Sequence, residues 1–442
     1  MSKVGRFLHY FIAALGLAGF LGFHGLAAES QSSMQAWQTL GFICLIAGLW
    51  VSEIIPLGAS SLLPLIYFPL AGILDAKDLG ESYFNSTIFL FLGGFLLAAA
   101  MEKWDLHKRI ALGILSLTGN QVVAGFMLAS AFLSMWISNT ATAMMMLPIA
   151  SAVLGRLSGG GWSRPVYLGV AYGCSIGGIA TIIGTPPNLA LSRIYKQSFG
   201  AEGFPNFAEW MLYALPLSLL LLFVTFIVLD KILYTKDRED SLYRHHWKAQ
   251  LLELGPLAPE EKMAGFLFGF TALLWIFRSP LELEAFRIPG WISLLDGLPG
   301  QKNLNDGTVA LFMALLAFAL PAPSRRGSRI LEAKDLNSIP WSILLLFGAG
   351  FALAAAFEAS GLSRMAGAFL QSVQPENVFV LILVINLSMN MMTEFTSNTA
   401  TAQIILPVMA ALAKQSDLPA FGLMAGVTFS VSMAFMMPVA TP

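Results

Sequence analysis

Long apolar runs alternate with short polar breaks along the whole chain. Residues 8–27, 36–52, 207–229 and 262–277 each approach the roughly 20 apolar residues that carry a helix across a bilayer core. A membrane barrel would instead show short segments of alternating polarity. Hydrocarbon offers no partner to an open backbone N–H or C=O, so the spans are predicted to be helices. The fold class expected is an all-α polytopic membrane protein. Composition agrees: 56% of the 442 residues are hydrophobic and 12% are charged, against about 25% charged in soluble domains.

The apolar pattern repeats. GFLLAAAME at 94–102 returns as GFALAAAFE at 350–358, SNTATAMMMLPI at 138–149 as SNTATAQIILPV at 397–408, and GVAYGCSIGGIATIIGTP at 169–186 as GVTFSVSMAFMMPVATP at 426–442. The offsets are 256, 259 and, for the closing Thr-Pro, 256 again. An odd number of expected spans between matched blocks makes this an inverted-topology repeat, a plan used by secondary transporters.

Within each copy the helices are interrupted. Between Gln121 and Arg156 the apolar run is broken at Ser138-Asn139-Thr140. Its two arms, about 24 Å each at 1.5 Å per residue, are short of a ~30 Å core. A re-entrant hairpin with the polar triplet at its tip is predicted, and a second over about Val378 to Lys414 with its tip at Ser397-Asn398-Thr399. The next helix breaks at Ile183-Gly184-Thr185-Pro186-Pro187-Asn188, where two prolines remove amide donors. Met437-Pro438-Val439-Ala440-Thr441-Pro442 is the matching break.

Charge sets the orientation. With the N-terminus inside, 17 of the 25 Lys and Arg residues fall on inside segments, as the positive-inside rule expects. Lys3 and Arg6 before an apolar run ending at Ala27-Ala28 also fit a cleavable signal peptide. The run is long for that, so a retained first span is expected. The polar stretch 231–261 reads as a solvated cytoplasmic linker, with His245 and His246 exposed rather than bound to metal. The domain layout follows: 1–119 holds the first scaffold spans and 120–230 the first transport half. After the 231–261 linker come the second scaffold spans, 262–372, and the second transport half, 373–442.

The chemistry gathers at tips and breaks. Ser, Asn and Thr are preferred helix N-caps, so a helix starts at each tip and turns free amides and its positive dipole end outward, where anions bind. Asn139 and Asn398 also carry carbonyl oxygens suited to a hard cation such as sodium. Broken helices add free carbonyls. Two tips and two breaks thus predict two cation sites around one anion site. No Lys or Arg adjoins either triplet in sequence, so bound cations are expected to replace a basic counter-charge for a dianion at the midplane. Binding of anion and cation is then reciprocally coupled.

A single polar triplet would be read as helix packing; two in matched context favour a site. Glu53, Glu102 and Glu358 are read as interfacial, Met144 to Met146 as packing, and Gly93-Gly94 as a close helix approach; Glu394 either sits in the mouth of the second hairpin or is simply hydrogen-bonded, the second reading being favoured. No nucleophile–base pair or His/Asp cluster lies within the spans, so no enzyme, no cofactor and no nucleic-acid partner are expected. A sodium–proton antiporter would carry a midplane Asp, and every Asp here reads as peripheral.

The two Ser-Asn-Thr motifs, IGTPPN at 183–188 and PVATP at 438–442 resemble the divalent anion–sodium symporter family, whose members include dicarboxylate, citrate and sulfate carriers. The resemblance runs from about residue 36 to the end. It implies a homodimeric elevator carrier in a bacterial inner membrane, with residues 102–117 and 357–372 as amphipathic arms. It implies one sodium on Ser134, Ser138, Asn139 and Gly184, and another on Thr393, Thr396, Asn398 and Ala440. It places substrate carboxylates at Ser138, Asn139, Thr140, Thr185, Ser397, Asn398, Thr399, Thr441 and Pro442. Exchangers of the family carry basic groups at the sodium positions; none is visible here, so symport of a C4-dicarboxylate such as succinate is expected. The alternatives are a sulfate or citrate carrier, or a truncated non-transporting membrane protein. The last arises because the chain stops at Pro442 inside the second break, whereas the first copy continues about 45 residues past its own Thr-Pro. The sequence is expected to be a fragment or a truncated form, and the functional expectation attaches to the intact protein.

Overall fold

In the computed structural model of the protein, residues 3–29, 33–119, 121–154, 163–231, 243–283, 286–373, 378–415 and 418–437 are described. Nearly all of the regular structure is helical, as the apolar periodicity demands. The helices are α1 (Lys3–Glu29), α2 (Met34–Ser52), α3 (Leu57–Ser60), α4 (Leu63–Leu70), α5 (Ala76–Tyr83), α6 (Ser86–Lys103), α7 (Leu106–Thr118), α8 (Val122–Ser134), α9 (Asn139–Leu154) and α10 (Ser163–Gly178). They continue as α11 (Pro186–Phe199), α12 (Phe207–Lys231), α13 (Tyr243–Glu253), α14 (Pro259–Ile276), α15 (Asp306–Ala319), α16 (Trp341–Ala359), α17 (Leu362–Val373), α18 (Val378–Thr393), α19 (Asn398–Gln415) and α20 (Ala420–Val431). One small antiparallel hairpin, β1 (Leu281–Leu283) with β2 (Phe286–Ile288), pairs Leu281 with Ile288.

The order of elements repeats as the sequence blocks do. The series α6 to α10 is a long helix, a short one, a two-helix hairpin and a helix ending at a break, and α16 to α20 is the same series. Four helical stretches among the described residues are long and apolar enough to cross a membrane: Met34–Ser52, Ala76–Lys103, Phe207–Asp230 and Trp341–Ala359. The run at 262–277 is a helix, but the first turn of α14 holds Glu260, Glu261 and Lys262, which shortens its apolar length. Leu219, Leu220 and Phe223 of α12 are exposed; a bilayer accounts for such a face where water does not.

The chain forms two compact units. One comprises Met1–Ile88, Pro186–Phe204 and Pro340–Ala440; the other comprises Phe89–Thr185 and Pro205–Ile339. In the first, α1 and α2 meet at small residues: a Cβ on Gly16 would lie 2.9 Å from Cys44 O and 3.0 Å from Gly48 Cα. Close backbone approach of this kind is how helices pack where water supplies no hydrophobic drive. The core beneath is Phe42, Ile46, Trp50, Phe68, Tyr83 and the α16 face Leu346, Ala349, Leu353 and Ala356.

In the second unit, Gly169, Gly173 and Gly177 make a stripe along α10 at four-residue spacing. A Cβ on Gly173 would lie 2.7 Å from Met127 O of α8, and one on Gly177 would strike the backbone of Ala131. The stripe therefore presses α10 onto the hairpin arm. Gly93 lies against Ala310 in the same way, as the close-approach reading expects, whereas its neighbour Gly94 faces open space.

The polar linker departs from the solvated reading over part of its length. Residues 232–242 lie outside those described, as do the side chains of His245 and His246. Beyond them α13 docks on α7: Trp247 is fully buried and donates from Nε1 to Gly119 O at 3.1 Å. Arg109 of α7 pairs with Glu261 at 2.9 Å and donates to the carbonyls of Leu254 and Gly255. Single residues such as one tryptophan and one arginine give no periodic signal, so charge density alone misread this stretch. Truncating the buried ring in Trp247→Ala is expected to cost about 3–5 kcal/mol of local stability. Proteolysis of the linker should then accelerate at least tenfold, since cleavage follows the open population.

Candidate functional site

Each half of the repeat builds its hairpin tip the same way. In the first, α8 ends at Ser134, four residues turn, and α9 starts at Asn139. In the second, α18 ends at Thr393, four residues turn, and α19 starts at Asn398. The first helical N–H bonds are Thr142 to Ser138 O and Thr401 to Ser397 O, both 2.9 Å. The amides before them have no intrahelical partner, which is the general condition of a helix start. The arms are short, 13 and 16 residues in the first hairpin and 16 and 18 in the second. Pro148 and Pro407 occupy matched positions inside α9 and α19.

The same hydroxyl–amide pair closes both tips. Ser134 Oγ donates to Asn139 Oδ1 at 2.7 Å, and Thr393 Oγ1 donates to Asn398 Oδ1 at 2.6 Å. The hydroxyl residues are fully buried. Each bond fixes the amide's rotation, so its carbonyl oxygen points into the tip and its NH2 away from the hydroxyl.

Around the first pair, carbonyl oxygens converge. The chain from 179 to 185 is irregular, and α11 begins with Pro186 at its first position, where a missing N–H costs nothing. A Cβ on Gly184 would lie 2.5 Å from Gly178 O and 2.9 Å from both Ser134 O and Met135 O. A Cβ on Gly178 would lie 2.5 Å from Asn139 Oδ1 and 3.3 Å from Gly184 O. Five oxygens thus crowd two glycines, which only residues lacking a side chain permit. Neighbouring carbonyls are already engaged: Ser218 Oγ donates to Ile176 O at 2.8 Å and Trp210 Nε1 to Ile179 O at 3.1 Å. Thr181 ties the break to the tip, donating to Met135 O and accepting from Gly184 N at 3.0 Å.

The second half has fewer described oxygens. Thr393 Oγ1 lies 2.9 Å from Val431 O as well as 2.6 Å from Asn398 Oδ1. A hydroxyl has one proton, so three oxygens are held together by a single hydrogen. Asn390 Nδ2 donates to Ser430 O and Met433 O at the end of α20. Thr396, expected as a cation ligand, bonds Thr401 Oγ1 at 2.6 Å and Met392 O at 3.0 Å.

The expected site residues fall as follows. Ser134, Asn139, Gly184 and Thr185 lie buried in one unit with Ser138 half-buried and Thr140 exposed at its tip. Thr393 is buried in the other unit, with Thr396, Ser397, Asn398 and Thr399 half-buried. Ala440, Thr441 and Pro442 lie outside the described residues. Sequence reading left out the oxygens of Met135 and Gly178, because a carbonyl's direction is a backbone property that residue type does not reveal. Glu394 is hydrogen-bonded, as the favoured reading of it expects: its carboxylate, 2% exposed, accepts from the amides of Phe435, Met436 and Met437. Among the described residues no group of three or more His, Cys, Asp or Glu forms a metal cluster.

Known proteins share this arrangement of the chain. The profile described as Citrate transporter (CitMHS) matches residues 47–440. The sodium-dependent dicarboxylate transporter SdcS of Staphylococcus saprophyticus is 36% identical over 417 residues, covering 90% of this chain and 77% of that protein. SdcS of Staphylococcus aureus strain MW2 is 37% identical over 416 residues, covering 90% and 76%. The crystal structure of the Alcanivorax borkumensis YdaH transporter shares the fold, with TM-score 0.51 and 12% identity over 83% of this chain and 80% of that one. The chain is an integral membrane transporter rather than an enzyme, and it belongs to the citrate transporter family.

Proposed function

We propose that the protein is a sodium-coupled symporter of a divalent anion, a C4-dicarboxylate such as succinate. The observation that carries this reading is the repeated hydroxyl–asparagine pair, Ser134 with Asn139 and Thr393 with Asn398, each beside backbone carbonyls. Clustered oxygens with too few protons form a negative spot, and a hard cation satisfies it. The first cation site is Ser134, Ser138, Asn139 and Gly184, joined by the carbonyls of Met135 and Gly178. The second is Thr393, Asn398 and Ala440, with Thr396 and the carbonyl of Val431. The substrate carboxylates are assigned to Ser138, Asn139, Thr140, Thr185, Ser397, Asn398, Thr399, Thr441 and Pro442. The hydroxyl, amide and helix-start donors of these residues suit carboxylate oxygens. Two relatives whose names specify sodium-dependent dicarboxylate transport support both ion and substrate.

The wider mechanism is a homodimeric elevator built on an inverted repeat, in a bacterial inner membrane with the N-terminus inside. Its support is the recurrence of α6 to α10 as α16 to α20, together with the inside bias of basic residues. The second reading is citrate as substrate, favoured by the description of the matching family.

Uptake of labelled succinate into proteoliposomes, with and without an inward sodium gradient, tests the proposal. Sodium-dependent accumulation, competed by unlabelled succinate more strongly than by citrate or sulfate, is the expected result. Stronger competition by citrate would select the second reading. No sodium-dependent entry of any of the three anions would remove the function.

A further inference from the structure

The two halves tie hairpin tip to helix break through the same pair of positions with reversed chemistry. Position 135 corresponds to 394, and 181 to 437, by the offsets of the repeat. In the first half the side chain at 181 is the donor: the Thr181 hydroxyl bonds the backbone carbonyl of Met135. In the second half the side chain at 394 is the acceptor. Glu394 Oε1 receives Phe435 N at 2.8 Å and Met436 N at 3.0 Å, and Oε2 receives Met436 N at 3.1 Å and Met437 N at 2.8 Å. Methionine at 135 has no oxygen for such a role, and methionine at 437 has no hydroxyl.

Three consecutive amides turned onto one carboxylate form a nest for a negative charge. Bonds of this charge-assisted kind are about twice as strong as neutral ones. They lock the segment after α20 onto the second tip. The same stretch of chain presents Val431 O to Thr393, the residue just before Glu394. Glu394 follows Thr393 directly in the chain, where the first half has the neutral Met135 directly after Ser134. In a low-dielectric interior, a charge so close weighs heavily on the affinity for a cation.

We propose that Glu394 is a positioning residue for the second cation site: it holds residues 435–437 in register with the second tip and supplies the charge that sets sodium affinity in that half. The first half works without such a charge. This inference rests on the symport reading above and adds an asymmetry between its two sites.

Glu394→Gln and Glu394→Asp separate the parts of the argument. Glutamine keeps the length but turns an NH2 group toward backbone donors and removes the charge. Aspartate keeps the charge and both acceptors and is one methylene shorter. The readouts are the half-saturating sodium concentration for succinate uptake, the maximal rate at saturating sodium, and the sodium dependence of thermal unfolding in detergent.

Glu394→Gln is expected to raise half-saturating sodium about tenfold in both assays, with a maximal rate at saturating sodium within about twofold of the unmodified protein. Glu394→Asp is expected to fall between the two, near threefold. Unchanged sodium dependence in Glu394→Gln would overturn the proposal. So would a lost maximal rate with unchanged half-saturating sodium in both variants, which is what a purely structural role predicts. If Glu394→Gln does not fold, Glu394→Asp decides alone: a raised sodium requirement supports the proposal and an unchanged one overturns it. An unmodified protein with no sodium dependence removes the symport reading, and this inference with it.

Discussion

Gly184→Ala is expected to abolish sodium-dependent uptake. The added methyl group would sit 2.5 Å from Gly178 O and 2.9 Å from the carbonyls of Ser134 and Met135. All three are backbone oxygens, so no side chain can swing aside, and relief requires moving either the break or the tip. A shift of about 1 Å in a binding constellation costs on the order of a hundredfold in rate. Gly178→Ala should act alike, since its methyl group would lie 2.5 Å from Asn139 Oδ1. By contrast Gly94→Ala, which meets nothing within 4 Å, should transport normally. Uptake at several sodium concentrations checks the prediction, with gel-filtration profile and unfolding temperature showing that each variant is folded. Normal uptake by Gly184→Ala would mean that the oxygens around it are not a cation site.

Asn139→Ala and Asn398→Ala should each weaken sodium and substrate together. Both amides are held by a hydroxyl five residues earlier, so their carbonyl oxygens face the tip in a fixed direction. Removing one takes away a cation ligand. It also leaves Ser134 or Thr393 to turn its proton elsewhere, for Thr393 onto Val431 O. Half-saturating sodium should rise about 10–100-fold, the range found when a metal site loses a supporting contact. Substrate affinity should fall in parallel because the coupling is reciprocal. The check is sodium titration at fixed succinate and succinate titration at fixed sodium, on both variants. A variant that loses substrate binding while its sodium affinity is intact would contradict ligands shared between ion and anion.

Much of the architecture was legible in the sequence because its causes are local. Apolar length separates helices from loops, since every backbone group in hydrocarbon needs an internal partner. Ser-Asn-Thr and Pro-Pro mark a helix start and a helix break by side-chain hydrogen bonding and by missing donors. Both hairpins and the first break accordingly stand where these residues predict. The repeat made the signal stronger, because each device occurs twice in the same order.

The linker and the polar contacts of the site were not legible in the same way. Trp247 docking on Gly119 and Arg109 pairing with Glu261 join positions more than a hundred residues apart. Nothing in the neighbouring sequence distinguishes them from a solvated face. Gln403, which replaces Met144 of the first copy, is fully buried, and its side-chain amide has no partner among the described residues. Its polarity alone would have placed it at a surface.

Residue types and their spacing thus determined the helical class, the two tips and the first break, because steric and hydrogen-bonding preferences of a few consecutive residues settle each of them. Folding decided the direction of the oxygens: the carbonyls of Ser134, Met135 and Gly178 around Gly184, and the amides of residues 435–437 around Glu394. Those directions depend on how one helix end lies against another some 40 residues away in the chain, a relation that packing sets and local sequence does not carry.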